Sequence, residues 1–388
     1  MEVKIVEVDS DRKFGEFIRF PYDHYRLDDN FVPPLLYDQY QTLREDRNHF
    51  WQNAERKLFI AYDKKKRLPK PIGRIAAIID HNYIKYHDDK TGYFGFFETE
   101  HHPDIANALL GHATEYLKAN GMERVIGPLN PSINDVPGLL IDGFNRPPVI
   151  MMPYNPPYYA KLLEGYGFQK ATDLYAFYID NPEVPEKLEK LVPKLEKRGR
   201  FTIRPIRMDD LDNELVIIHR LYNEVLKDNY AFVPIELKEL QAFAAGLKKI
   251  AEPDLILIAE VDGEPVGFSL ALPDINQALI KMNGKLLPFG IFKFLYHRRK
   301  TNRIRVLIMG VLEKYRKRGI DLAFYYHTFK NGVAKGYYAA EISWIRESND
   351  MMIKMADRVN AQKYKTYRIY QYHLEEIELP DLRFDDKE

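Results

Sequence analysis

The strongest constraint on this chain is that it repeats itself. Residues 58–80 read LFIAYD, a charged turn, then PIGRIAAIID, and residues 255–274 read LILIAEVDGE then PVGFSLALPD. Two apolar runs around a charged or Asp-Gly turn mark a β-hairpin. Gly73 and Asp80 match Gly267 and Asp274 at an offset of 194. Residues 112–121 (HATEYLKANG) match residues 327–336 (HTFKNGVAKG) at an offset of 215, both helix ends closing on glycine. Gln169-Lys170 and Gln362-Lys363 return to 193, each before a Tyr-rich strand. The jump places about 21 extra residues in the second half between Asp274 and His327. The return places about 22 extra in the first half between Gly121 and Gln169. Ordered self-similarity of this kind sets the architecture before any single element does.

Each half then reads as hairpin, strand, helix, strand, helix and a final Tyr-rich strand. The expected class is α/β, with a sheet flanked by helices in each half. The expected division is 1–180, a linker helix over 181–199 (NPEVPEKLEKLVPKLEKRG), 200–380, and a tail over 381–388. Lys+Arg and Asp+Glu both count 57, so bulk charge selects no partner and docking rests on local patches. The absence of cysteine excludes a disulfide framework, a Cys-ligated metal and a thiol nucleophile. No metal is expected, because the eleven histidines lack ligand spacing. No nucleic-acid motif accompanies the basic clusters. The N-terminus lacks a signal-peptide core and no apolar run reaches spanning length, so a cytoplasmic protein with peripheral contact at the inner membrane is expected.

One turn carries chemistry. Residues 303–312 alternate and are strongly apolar, which predicts a central strand. Gly310 near its end is expected to let a ligand approach the backbone. Then come Arg316, Lys317, Arg318 and Gly319, and a helix opening at Ile320. A glycine turn that starts a helix leaves N–H groups and the positive dipole end free for an anion. Three cations beside it make a phosphate cradle, or else a solvated basic turn.

A strand, then Arg316-x-x-Gly319, then a helix resembles the acyl-CoA pyrophosphate loop of the GNAT superfamily of N-acyltransferases. The matching strand end is Met309-Gly310-Val311-Leu312. More broadly, the chain is similar to a bacterial family of tandem GNAT proteins that resembles bacterial ceramide synthases. That resemblance covers nearly the whole chain. It includes residues 29–35 (DNFVPPL), 73–76 (GRIA), 132–135 (SIND) and 154–159 (YNPPYY). It implies two tandem GNAT-like domains, each a mixed, mostly antiparallel sheet. It also implies an acyl-CoA donor, an amine acceptor of the sphingoid-base type, and Asn349 at the donor site. Three departures stand out. Asp321 occupies the loop's last small position, where a carboxylate would repel a pyrophosphate. The usual general-acid Tyr falls on Ala356. The first half carries the acidic run 97–103 (FETEHHP) where the cradle should be, so the first half is expected to have lost thioester binding.

The two insertions add candidates. The second-half insertion holds an almost wholly apolar run, 286–296, capped by His297, Arg298, Arg299 and Lys300. It reads as a membrane-interface segment over 286–300, as an acyl tunnel through Leu287, Phe289 and Phe292, or as a buried helix. The first-half insertion is dense in Pro, Gly, Asn and Asp and reads as loop. Its Asn134, Asn155, Tyr158 and Tyr159 are candidates for an acceptor head group, or ordinary turn and packing residues. For catalysis, Glu341, Glu347 and Asp135 are the candidate bases. Tyr364 or Tyr367 stands in for the missing acid, and backbone N–H near Val311 or Leu312 polarises the carbonyl. Acyl carrier protein is the alternative donor: one phosphate replaces two beside Asp321, and the basic surface suits an acidic carrier. An inactive acyl-CoA or lipid-binding module is the third reading.

Overall fold

Both hairpins form, in equivalent registers: Ala61 faces Gly73 and Ala259 faces Gly267. The computed structural model describes residues 2–65, 70–180, 184, 186–282, 284 and 290–374. The first half contains β1 (Val3–Glu7), β2 (Ala54–Asp63), β3 (Pro71–Asp80), β4 (Thr91–Thr99), β5 (Arg124–Gly127), β6 (Leu129–Asn130), β7 (Val136–Pro137), β8 (Leu139–Asp142) and β9 (Gln169–Asp180). The second contains β10 (Phe201–Pro205), β11 (Ile256–Val261), β12 (Glu264–Pro273), β13 (Arg303–Val311), β14 (Ala339–Arg346) and β15 (Gln362–His373).

The first-half helices are α1 (Asp11–His24), α2 (Leu36–Leu43), α3 (His81–His87), α4 (Pro103–Ala119) and α5 (Tyr158–Tyr166). α6 (Glu186–Gly199) follows β9. The second-half helices are α7 (Leu211–Leu226), α8 (Leu237–Leu247), α9 (Asn276–Leu279), α10 (Gly290–Arg298), α11 (Ile320–Ala334) and α12 (Asp350–Arg358).

The repeated aspartates have a shared local reason. Asp80 accepts the amides of Asn82 (3.0 Å) and Tyr83 (3.2 Å), capping α3. Asp274 accepts the amide of Asn276 (3.3 Å) ahead of α9. Each ends a hairpin and starts a helix.

One sheet of 13 strands runs through the molecule in the order β1-β2-β3-β4-β5-β15-β9-β14-β13-β12-β11-β10, with β8 also on β15. The last strand of each half has crossed over. β15 pairs antiparallel with β5 of the first half, and β9 pairs antiparallel with β14 of the second. The two exchanged strands pair with each other along their length. Their burial patterns are identical residue for residue, as a near-twofold relation between duplicated strands requires. The two halves therefore share one continuous sheet, fused at its centre by the exchanged strands.

Helices cover both faces. In the second half Phe324 of α11 packs on one face, and Leu221 and Tyr222 of α7 on the other. The first-half insertion is more ordered than its composition suggests, because β6 and β7 pair with each other and β8 adds to β15. No described helix is long and apolar enough to cross a membrane.

Candidate active site

In the second half, parallel β13 and β14 pair only from Arg303↔Ala339 to Val306↔Ile342. Leu307 is then an extra residue in β13, bulged between Val306 and Ile308 opposite β12. A bulge bends and twists its strand, and beyond it the two strands part. The facing edges of 307–310 and 343–346 border a cavity of about 450 Å³.

The equivalent opening in the first half is filled by the chain itself. β4 and β5 pair from Thr91↔Arg124 to Tyr93↔Ile126 and then part. Buried Leu129 and half-buried Asn130 enter the gap, and Asn130 Oδ1 accepts the Phe96 amide at 2.6 Å. The following loop differs from the second-half turn as well. Half-buried Glu98 accepts from the hydroxyls of Tyr25 and Tyr159. His102 Nδ1 caps the start of α4 by accepting the Asp104 amide at 3.2 Å.

The second-half turn keeps its donors free. Gly319 sits at φ +87° as the N-cap of α11, with no side-chain cap on that helix. Its missing Cβ is required twice over: the backbone is left-handed, and a Cβ would lie 2.8 Å from Leu195 of α6. The linker helix thus packs directly on the turn. Arg316 donates from Nε to the Val311 carbonyl (3.2 Å) and, with Lys317, Ile320 and Asp321, lines one end of the cavity. Asp321 lies in the first turn of α11, where a carboxylate is favoured by the dipole.

Other donor-site expectations are redistributed. Gly310 and Val311 line the cavity, but the space above Gly310 is taken by Val225 of α7, whose Cγ1 would lie 1.9 Å from a Cβ there. Gly310 therefore admits a helix rather than a ligand. The Leu312 amide donates to the Val266 carbonyl at 2.8 Å and is not free. Alternation along the strand turns the Val311 amide to the open edge. Arg318 stacks on Tyr315 at 5.0 Å instead of facing the cavity. Asn349 lines the cavity and caps α12, accepting the Met352 amide at 3.2 Å.

The candidate bases separate clearly. Asp135 stands on the cavity wall opposite the donor half, half-buried, with Ser132 Oγ donating at 2.5 Å. Burial pushes its carboxyl up to about 6, and Glu239 adds to the rise. Asn134 beside it also lines the cavity, its Oδ1 accepting from Tyr222 OH at 2.9 Å. Glu341 is fully buried at the apex of the opening, accepting from Tyr364 OH and from Ser343 Oγ (2.5 Å). Its route to the cavity is through Ser343, which lines the wall. Glu347 lies off the cavity, held by Lys170 Nζ at 2.6 Å and the Asp173 amide at 3.0 Å.

Three acceptor candidates and one tunnel candidate sit elsewhere. Asn155 is consumed by both backbone groups of Leu140, at 2.7 and 3.0 Å. Tyr158 donates to the Thr99 carbonyl (2.7 Å), and Tyr159 accepts the Thr99 amide (2.9 Å). All three secure α5 and its approach to the first-half sheet. Phe292 of α10 is 69% exposed and remote from the cavity lining. Leu287 and Phe289 lie outside the described residues. Burial raises the hydroxyls of Tyr364 and Tyr367, and neither lines the cavity.

The structure adds residues that spacing does not reveal. Arg305 is buried, donating to the carbonyls of Ile150 (2.9 Å) and Met151 (3.0 Å) and to Ser343 Oγ (2.9 Å). It staples the first-half insertion to the apex of the opening. A cation inside an otherwise apolar strand is the one sequence signal for it. Trp344 Nε1, Arg346 Nε and Tyr230 OH are buried without a hydrogen-bond partner among the described residues, and all three residues line the cavity. Among the described residues, no group of three His, Asp or Glu side chains is placed to hold a metal.

No protein-family model matches the chain. The bacterial ceramide synthase of Caulobacter vibrioides is 32% identical over 379 residues, covering 95% of this chain and 97% of that protein. Protein YghO of Escherichia coli K12 is 33% identical over 364 residues, covering 92% and 91%. Among solved structures, a tandem GNAT protein from the clavulanic acid biosynthesis pathway superposes with a TM-score of 0.57 at 10% identity, covering 96% of this chain and 99% of that one. A GCN5-related N-acetyltransferase from Sphaerobacter thermophilus gives 0.54 at 13% identity, covering 95% and 96%. At those identities the superpositions speak for the fold, and the full-length sequence matches speak for kinship. This chain has the tandem GNAT fold and belongs to the family of the bacterial ceramide synthase.

Proposed function

We propose that the protein is an N-acyltransferase that moves a long-chain acyl group from a CoA thioester to the primary amine of a lipid-like acceptor, of the ceramide-synthase type. One observation carries this reading: a single cavity joins the uncapped basic start of α11, the open edges of β13 and β14, and Asp135. The amides at the start of α11, with Arg316 and Lys317, hold the donor's phosphates. The unpaired strand edges receive the donor's own amides as an added strand. The Val311 amide faces the thioester oxygen.

Asp135 accepts the proton of the acceptor ammonium, directly or through water. The freed amine attacks the carbonyl carbon, the C–S bond breaks, and the thiolate leaves. The Tyr230 hydroxyl, buried on the wall without a partner among the described residues, gives its proton to that thiolate and is restored by the surplus proton that the new amide nitrogen sheds. Ile133, Leu174, Leu226, Phe243, Ile308 and Met351 supply apolar wall for an alkyl chain. A lipid acceptor brings the protein to the inner membrane surface.

A second donor is favoured by one observation. Arg316 and Lys317 are exposed at the cavity's rim and Arg318 is exposed beside them, so an acidic carrier protein presenting a single phosphate would meet three cations there. The test offers long-chain acyl-CoA, the same chain on acyl carrier protein, and acetyl-CoA, each with sphingoid bases. Turnover with long-chain donors alone supports the proposal, and the two long-chain rates rank the donors. Turnover with acetyl-CoA alone overturns the long-chain assignment. Donor binding without turnover of any amine makes the protein an acyl-CoA or lipid-binding module.

A further inference from the structure

The second-half insertion ends in a helix that the cavity does not use. Phe294 on the inner side of α10 packs on a small apolar cluster of Val32, Leu279 and Met282. On the outer side Ile291 (40%), Phe292 (69%), Leu295 (50%) and Tyr296 (59%) are exposed. At 3.6 residues per turn these four fall within an arc of about 140°. A contiguous apolar face standing in solvent marks an interaction site.

The charge around this face is one-sided. Residues 275–312 contain eight Lys and Arg and no Asp or Glu. Among the described residues, Arg303 is used on Asp274 at 2.6 Å, Arg305 in the cavity wall, and Lys300 donates to the Tyr296 hydroxyl of α10 itself at 2.8 Å. Lys293 flanks the apolar arc, and Arg298, Arg299 and Lys300 close the helix and its last turn.

We propose that α10 is a docking surface for an anionic lipid bilayer. Ile291, Phe292, Leu295 and Tyr296 enter the interface, while Lys293, Arg298, Arg299 and Lys300 meet lipid phosphates. A helix with an apolar face and a cationic rim lies in the plane of such an interface. A second copy of this chain is disfavoured, because a twofold contact would set the same cations against each other. This surface is separate from the catalytic reading, since no residue of α10 lines the cavity.

The test uses the full chain in flotation with phosphatidylcholine vesicles, with and without phosphatidylglycerol. Binding is expected to the anionic vesicles and to weaken with salt. Phe292→Ser with Leu295→Ser should abolish it. Exchanging Arg298, Arg299 and Lys300 for Gln should weaken it by roughly fivefold per charge. A Phe292→Trp variant should shift its emission to the blue on binding and be quenched by brominated acyl chains. Circular dichroism and donor affinity should be unchanged in each variant, which keeps this proposal apart from the donor site. It is overturned by failure to bind anionic vesicles, or by equal binding to neutral ones. It is also overturned if the double serine variant binds undiminished, or if that variant instead abolishes a dimer or the retention of acyl carrier protein.

Discussion

Replacing Asp135 with asparagine pulls stability and catalysis in opposite directions. Burial raises this carboxyl from 3.8 to about 6, against the opposing hydrogen bond from Ser132. An acid whose folded pKa exceeds its unfolded value holds its proton more tightly when folded. Stability is then greatest below the unfolded value and falls as pH rises from about 4 to about 6, with no further change above. Two units correspond to a cost of about 3 kcal/mol at pH 7. Asp135→Asn keeps the shape, still offers an oxygen to Ser132, and removes the charge. The variant should be more stable than the parent at pH 7 by up to about 3 kcal/mol, with the gain vanishing near pH 4. Asp80, also pushed up to about 6, contributes to both proteins and cancels in the difference. Urea unfolding at the two pH values measures it. In activity, the parent's kcat/KM should fall on the acid side through about pH 6, as the base takes up its proton. The variant should lose that limb and roughly 10²- to 10⁴-fold in rate. An unchanged acid limb would remove Asp135 as the base. A variant less stable than the parent at pH 7 would refute the burial argument itself.

Other expectations follow from the same geometry. Arg316→Ala should weaken donor binding by about 1.5–3 kcal/mol, the worth of a charge-assisted hydrogen bond, read by calorimetry; unchanged affinity would remove the turn as the donor site. Gly319→Ala strains a left-handed residue against Leu195 and should destabilise by at least about 1 kcal/mol in thermal unfolding. Arg305→Met strips Glu341 of a cation 4.0 Å away and should cost about 3–5 kcal/mol. Glu341→Gln in the same chain should restore part of that in chemical denaturation, and strict additivity would show that the two do not couple.

Local chemistry makes much of this molecule legible. The hairpins declare themselves by apolar alternation and an Asp-Gly turn, and the helix ends by their glycines. The basic turn is readable because its pieces are contiguous: strand end, cations, Gly319 and helix start lie within about twenty residues. Asp135 and Asn134 are readable only as polar residues in a long insertion. Asn155 and Tyr158 look the same in sequence, yet they spend their polar atoms on Leu140 and Thr99. Which of two similar residues keeps a free group depends on partners that are remote in the chain. Phe292 shows the converse: an apolar helix reads alike whether it lines a tunnel or stands in solvent, and exposure alone separates them.

Two related halves, one order of elements in both, and a basic glycine turn opening a helix in the second are all legible in the sequence alone. Those features rest on periodicity and on backbone rules that act over a few residues. Tertiary structure decides three further things. The last strands trade places, because β9 and β15 have the same alternation of exposed and buried side chains and either suits either sheet edge. The first half's opening is closed, because Leu129 and Asn130 enter it before any ligand can. The second half's opening is roofed by the first half's insertion, because Arg305 ties Ile150 and Met151 to its apex. Pairing across more than a hundred residues leaves no local periodicity, so Asp135 and the basic turn at Arg316 meet only in the folded chain.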